Sequence, residues 1–163
     1  FQVLGWETFR SDRNLYVYHD KICSRALTKE ELLFAMANFF GAPDFDHRPV
    51  VRHVLQRLQQ LDAVMSKQFE YTFIASSLLI TYDGEDRSED MPSSTVDVRL
   101  VDFAHVFPST RSNEPDENFL FGLRHCIAYC QRLLEPQFLY VDTQKFDHHS
   151  DDSLRTCRKT SVM

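Results

Sequence analysis

Apolar and polar positions alternate in a way that divides this chain into short strands, three amphipathic helices and a patternless end. Phe1 to Phe9 and Leu15 to Tyr18 are rich in β-branched and aromatic residues, with turn formers over Ser11 to Asn14, and predict two strands. Thr28-Lys29-Glu30-Glu31 places Thr and Glu three apart, the reciprocal cap that opens a helix. Leu32, Leu33, Ala35, Met36, Phe39 and Phe40 then keep an apolar face until Gly41 and Pro43 stop it. From about Arg48 to Lys67, Val51, Val54, Leu55, Leu58, Leu61 and Met65 recur at helical spacing. Phe69 to Tyr82 predicts one or two strands, Asp83 to Thr95 a polar loop, and Val96 to Asp102 a further strand. The short connection pairs that strand antiparallel with Leu78 to Tyr82. A last helix starts near Asp116 or Phe119 and runs through Leu123, Ile127 and Leu134 to Pro136; beyond it 137–163 has no sustained period and is expected to be a flexible tail.

Composition fits a soluble globular domain: 163 residues, 43% hydrophobic, with only 4 Gly and 6 Pro. The 14 Phe suggest a well-filled apolar interior. A formal charge of −6 argues against nucleic-acid binding, which needs a basic face. Cys23, Cys126, Cys130 and Cys157 show no disulfide or zinc spacing; Cys126 and Cys130 lie one helical turn apart beside His125, and reduced, buried thiols are favoured over a metal pair. No apolar run is long enough to span a bilayer, no signal peptide is evident, and a reducing intracellular home is expected. The start at Phe1 rather than Met suggests a fragment or processed chain.

The most informative stretch is Val98-Arg99-Leu100-Val101-Asp102-Phe103-Ala104-His105, a strand ending on a carboxylate and expected to be followed by a chain reversal. An Asp at a strand end, beside a Phe able to anchor the turn, suits a magnesium ion facing nucleotide phosphates. That ion takes hard oxygen ligands, one or two carboxylates among them. The simpler role for such an Asp is to cap the following turn.

Three segments together, Ala75 to Gly84 with its SSLL, Val98 to Pro108 (VRLVDFAHVFP), and Asp116 to Leu123 with its FGL, resemble the inositol polyphosphate kinase family, most closely its multikinase branch. SRALTKEELLFAMANFF extends the likeness, which covers Phe1 to about Leu134. The resemblance implies an α+β unit, the C-terminal lobe of a protein-kinase-related fold, antiparallel strands with packed helices, over residues 1–136. It implies a kinase using ATP and Mg2+ on inositol trisphosphate and tetrakisphosphate, with a phosphoinositide head group as a further acceptor, in the nucleus and cytoplasm. It assigns Asp102 to the metal that bridges the ATP phosphates, Ser77 to a place beside that ion, and His105 and Lys21 to substrate phosphate. Arg25 is read as anchoring the start of the next helix, and Gly122 as permitting close helix packing. Protein partners would engage through the tail, where His148 and His149 are expected to be solvated.

The chain also departs from the family pattern. No Pro-x-x-x-Asp-x-Lys-x-Gly segment, which supplies the family's catalytic base, occurs in these residues, so the catalytic residue is unassigned and the chain alone is expected not to turn over. Glu7 stands where the multikinases carry a substrate-contacting Arg, and a carboxylate there repels a polyphosphate. Asn118 and Phe119 replace the family's Gly and Tyr. These departures leave two alternatives, a catalytically dead scaffold or a relative of the inositol hexakisphosphate kinases.

Overall fold

The computed structural model describes residues 2–10, 14–41, 46, 48–84, 92–111 and 113–135. The expected tail, His148 and His149, Pro43, Cys157, the turn over 11–13 and most of the polar loop lie outside the described residues. The chain forms two compact units, one within 2–44 and one within 45–134.

In the first unit, β1 (Trp6–Arg10) and β2 (Leu15–His19) form an antiparallel hairpin with Trp6 opposite His19 and Glu7 opposite Tyr18. The rings of Trp6 and His19 stack with centroids 4.2 Å apart. Gly5 just before β1 has φ 153°, and a Cβ there would meet the His19 carbonyl oxygen at 2.7 Å, so only glycine fits. A short helix α1 (Lys21–Arg25) leads to α2 (Lys29–Phe39). The predicted cap of α2 is present: Thr28 Oγ1 accepts from Glu31 N at 3.3 Å, and Glu31 Oε2 accepts from Thr28 N at 2.8 Å. Those two bonds, not Arg25, fix the start of α2, because Arg25 makes no hydrogen bond to it among the described residues. Leu33, Ala35, Met36 and Ala37 are buried along α2, and Phe40 closes it.

The second unit packs helix on helix and helix on strand. α3 (Arg48–Met65) buries Val50, Val51, Val54, Leu58 and Met65; α4 (Glu117–Leu133) buries Leu120, Leu123, Cys126, Cys130 and Leu133. These two stripes pack together, and each fully buried Leu contributes about 1.5–3 kcal/mol. Arg124 on α4 reinforces the contact, donating to Asp62 Oδ1 at 3.0 Å and to Ser66 Oγ at 3.2 Å on α3. The strands are β3 (Tyr71–Phe73), β4 (Ser77–Tyr82), β5 (Val96–Val101) and β6 (Val106–Pro108), with a 3-10 turn over Ser93–Thr95 ahead of β5. β4 pairs antiparallel with β5, as expected, and β3 with β6. α3 packs on β5, leaving Leu79 and Arg99, opposite each other, on the solvent face.

Two expectations are corrected here. The described core is mainly aliphatic: Phe40 alone among the described phenylalanines is buried, while Phe9, Phe69, Phe103, Phe107 and Phe121 are exposed. The exposed phenylalanines lie outside the α3–α4 and α3–β5 contacts or on the open side of a helix: Phe9 on β1, Phe107 on β6, Phe121 on α4, and Phe69 and Phe103 between elements. Gly122 is not a close-packing site either, because a Cβ built there meets no described atom within 4 Å.

Candidate functional site

The chain does not reverse after Asp102. β5 runs on into β6, just as β3 runs on into β4, so the two ladders form one arm with an interruption in the middle. Residues 74–76 face residues 102–105 there, three against four. That extra residue is the signature of a β-bulge, a device that re-aims side chains and recurs near active sites. Asp102 takes φ 64° and Ala75, on the facing segment, takes φ 59°, both in the left-handed region. Ile74 N donates to the His105 carbonyl at 3.0 Å, and Ser76 Oγ donates to the Asp102 carbonyl at 3.0 Å. The 102–105 segment is thus held at both ends by the 74–76 segment.

Phe103 anchors the turn as expected. Although 55% exposed, its ring meets Phe73 edge-on at 6.4 Å, and Phe73 in turn lies 5.7 Å from Phe119. A residue without an assigned role ties this cluster to α4. Asp116, the N-cap of α4, accepts from Phe119 N at 3.1 Å through Oδ1 and from Phe73 N at 2.7 Å through Oδ2. The cap was legible from an Asp ahead of an apolar helix; the bond to a strand 43 residues earlier had no local signal.

Asp102 and His105 are both exposed on this interruption. Ser77 is half-buried opposite Val101, one position short of Asp102, and the hydroxyl that reaches Asp102 belongs to its neighbour Ser76. The Ser-Ser pair was visible in the sequence, but not which member turns toward Asp102. Lys21 is exposed at the start of α1 and belongs to the other unit. Glu7 is exposed on β1. Among the described residues no three His, Cys, Asp or Glu gather as a metal cage. Asp102 therefore stands as a single exposed carboxylate, and the hydroxyl beside it, that of Ser76, is bonded to its backbone carbonyl.

Cys126 and Cys130 are free thiols buried one turn apart on α4. The hydrogen bond from Cys126 and burial push the Cys130 thiol far up, so Cys130 is not poised as a thiolate. His125 is exposed and turned to its own helix, with Nδ1 2.8 Å from the Phe121 carbonyl. No helix among the described residues is long and apolar enough to cross a membrane.

Comparison with known proteins agrees with this geometry. Human inositol hexakisphosphate kinase 3 is 28% identical over 159 residues, covering 82% of this chain and 39% of its own length. Mouse inositol hexakisphosphate kinase 1 is 29% identical over 170 residues, covering 81% and 39%. The chain therefore spans about two fifths of the length of the curated relatives it matches. A solved inositol phosphate multikinase superposes with a TM-score of 0.69 at 24% identity, over 82% of this chain and 62% of that one. The S. cerevisiae inositol phosphate multikinase in complex with ADP and Mn2+ gives 0.63 at 24%, over 79% and 55%. The α+β arrangement of antiparallel strands and packed helices is thus that of the multikinases. With the family model for inositol polyphosphate kinase matching residues 1–131, the interrupted arm and its Asp102 lie within the matched region, and the chain belongs to the inositol polyphosphate kinase family.

Proposed function

We propose that the protein is an ATP-dependent kinase of inositol polyphosphates and that this chain supplies its divalent-cation site. The observation that carries the reading is Asp102, an exposed carboxylate set in left-handed backbone at a break in the arm, inside the stretch matched by the family. Asp102 would hold Mg2+, with Ser77 beside it. The ion would neutralise charge on the β- and γ-phosphates of ATP. His105, three residues on, would donate a ring N–H to the acceptor's phosphates. Lys21, on the other unit, would by itself offer a substrate phosphate a point charge. Inositol trisphosphate and tetrakisphosphate are the acceptors that the sequence resemblance to the multikinase branch implies, and a phosphoinositide head group carries the same chemistry. Hexakisphosphate is a second reading, supported by the curated relatives.

The test is label transfer from γ-labelled ATP by the full-length protein, offered inositol trisphosphate, tetrakisphosphate and hexakisphosphate in turn. At least one acceptor should be labelled. Asp102→Asn removes a metal ligand worth several kcal/mol in the transition state, so the rate should fall by about a hundredfold or more. Its thermal midpoint should not move, because Asp102 is exposed. No transfer to any acceptor, with no Mg2+-dependent protection by nucleotide against melting, would instead leave a non-catalytic scaffold. Glu7, an exposed carboxylate on β1, is the residue that favours that alternative.

A further inference from the structure

Asp102 sits in a backbone conformation that a residue with a Cβ does not adopt freely. The left-handed region costs such a residue roughly 1 kcal/mol or more, although Asp tolerates it better than most. Left unheld, Asp102 would relax to an extended or right-handed conformation, and its carboxylate would swing with the backbone. One side chain bonds to that backbone: the Ser76 hydroxyl, donating to the Asp102 carbonyl at 3.0 Å. Ser76 is itself well placed to hold it. It follows left-handed Ala75, and two residues before it Ile74 donates to the His105 carbonyl at 3.0 Å. The segment that fixes Asp102 therefore also fixes the far end of the same four-residue turn.

We infer that Ser76 is a positioning residue for the divalent-cation site: its hydroxyl, by holding the Asp102 carbonyl, fixes where the Asp102 carboxylate stands. The two serines then have separate roles: Ser77 would be a ligand to the ion or to its water, and Ser76 acts only through Asp102. The inference rests on the kinase reading of Asp102. It also separates two consequences of losing the hydroxyl. The bond is solvent-exposed, so its removal changes stability little. Its effect on cation affinity resembles that of other residues that orient a metal ligand without touching the metal, where losses of 10- to 100-fold are usual.

The experiment titrates Mn2+ into the full-length protein with ADP present, followed by electron paramagnetic resonance, for the unaltered protein and for Ser76→Ala, Ser76→Thr and Asp102→Asn. Ser76→Ala should weaken Mn2+ binding by about tenfold at an almost unchanged melting temperature, and Ser76→Thr, which keeps the hydroxyl, should restore it. Asp102→Asn should abolish the tight site. If Ser76→Ala binds Mn2+ within about twofold of the unaltered protein while Asp102→Asn does not bind, the positioning role is wrong and the metal site stands. If Asp102→Asn binds as tightly as the unaltered protein, the reading of Asp102 itself falls. Should Ser76→Ala fail to melt cooperatively, Ser76→Cys, similar in size with a weak donor, serves for the same comparison.

Discussion

Replacing Asp116 tests whether one carboxylate couples the arm to the helix bundle. Its two oxygens do different jobs: Oδ1 caps α4 through Phe119 N, and Oδ2 takes the N–H of Phe73 on β3. Removing an Asp cap costs about 1 kcal/mol, and losing a charged acceptor from a part-buried N–H costs about 1.5–3 kcal/mol. Asp116→Ala should therefore lose about 3 kcal/mol, a large share of the roughly 5–15 kcal/mol that holds a domain together. Asp116→Ser keeps the cap but is too short to reach Phe73 as well, so it should lose the Phe73 part alone, about 1 kcal/mol less than the Ala variant. Urea unfolding of the three proteins, compared by midpoint at equal m-value, measures both steps. Because Phe73 leads directly into Ile74–Ser76, the Ala variant should also show weaker Mg2+-dependent protection by nucleotide. The coupling would be refuted if Asp116→Ala stayed within about 0.5 kcal/mol of the unaltered protein, or if the Ser variant were as stable as the parent.

Two further predictions concern the framework. Gly122 lies inside α4 with open space where a Cβ would stand, so Gly122→Ala should raise the free energy of unfolding by about 0.5–1 kcal/mol, read as a higher urea midpoint at equal m-value; a loss would mean that something occupies that space in the working protein. His19 is held below its ordinary value of 6.5 by burial at the end of β2, with Asp20 opposing more weakly. The fold therefore favours neutral imidazole: stability is complete above pH 6.5 and is lost as pH falls below that value toward the lowered one. Melting temperatures from pH 7.5 to 5 should fall more steeply for the unaltered protein than for His19→Phe, and equal slopes would remove the assignment.

What the sequence made legible was whatever its local rules decide. Thr28 and Glu31 satisfy each other's backbone within one turn, and the apolar stripes of α3 and α4 repeat at helical spacing, so these elements could be read residue by residue. The β4–β5 pairing followed from a short connection. β6 was missed because three residues ending in Pro108 carry almost no strand signal of their own; they are a strand because Tyr71–Phe73 lies alongside. The abundance of Phe pointed to a well-filled apolar interior, but composition counts apolar residues without placing them, and most of the described phenylalanines lie outside the buried core.

One departure from local rules, at the break in the arm, is itself informative. Four described residues other than glycine have positive φ. Asn14 and Asn113 are of the type that accepts this conformation at little cost. The other two, Ala75 and Asp102, lie on the two segments that meet at the break in the arm. Ala75 has no polar side chain to compensate, so its strain must be held by the bonds around it: Ile74 to His105 on one side, Ser76 to Asp102 on the other. Strain kept at a break in regular structure, next to an exposed carboxylate, is where local rules give way to function. The sequence named Asp102 and His105 because a family resemblance pointed to them. The backbone singles out the same four-residue turn for an independent reason, and it adds Ser76, the residue whose hydroxyl holds Asp102 in place.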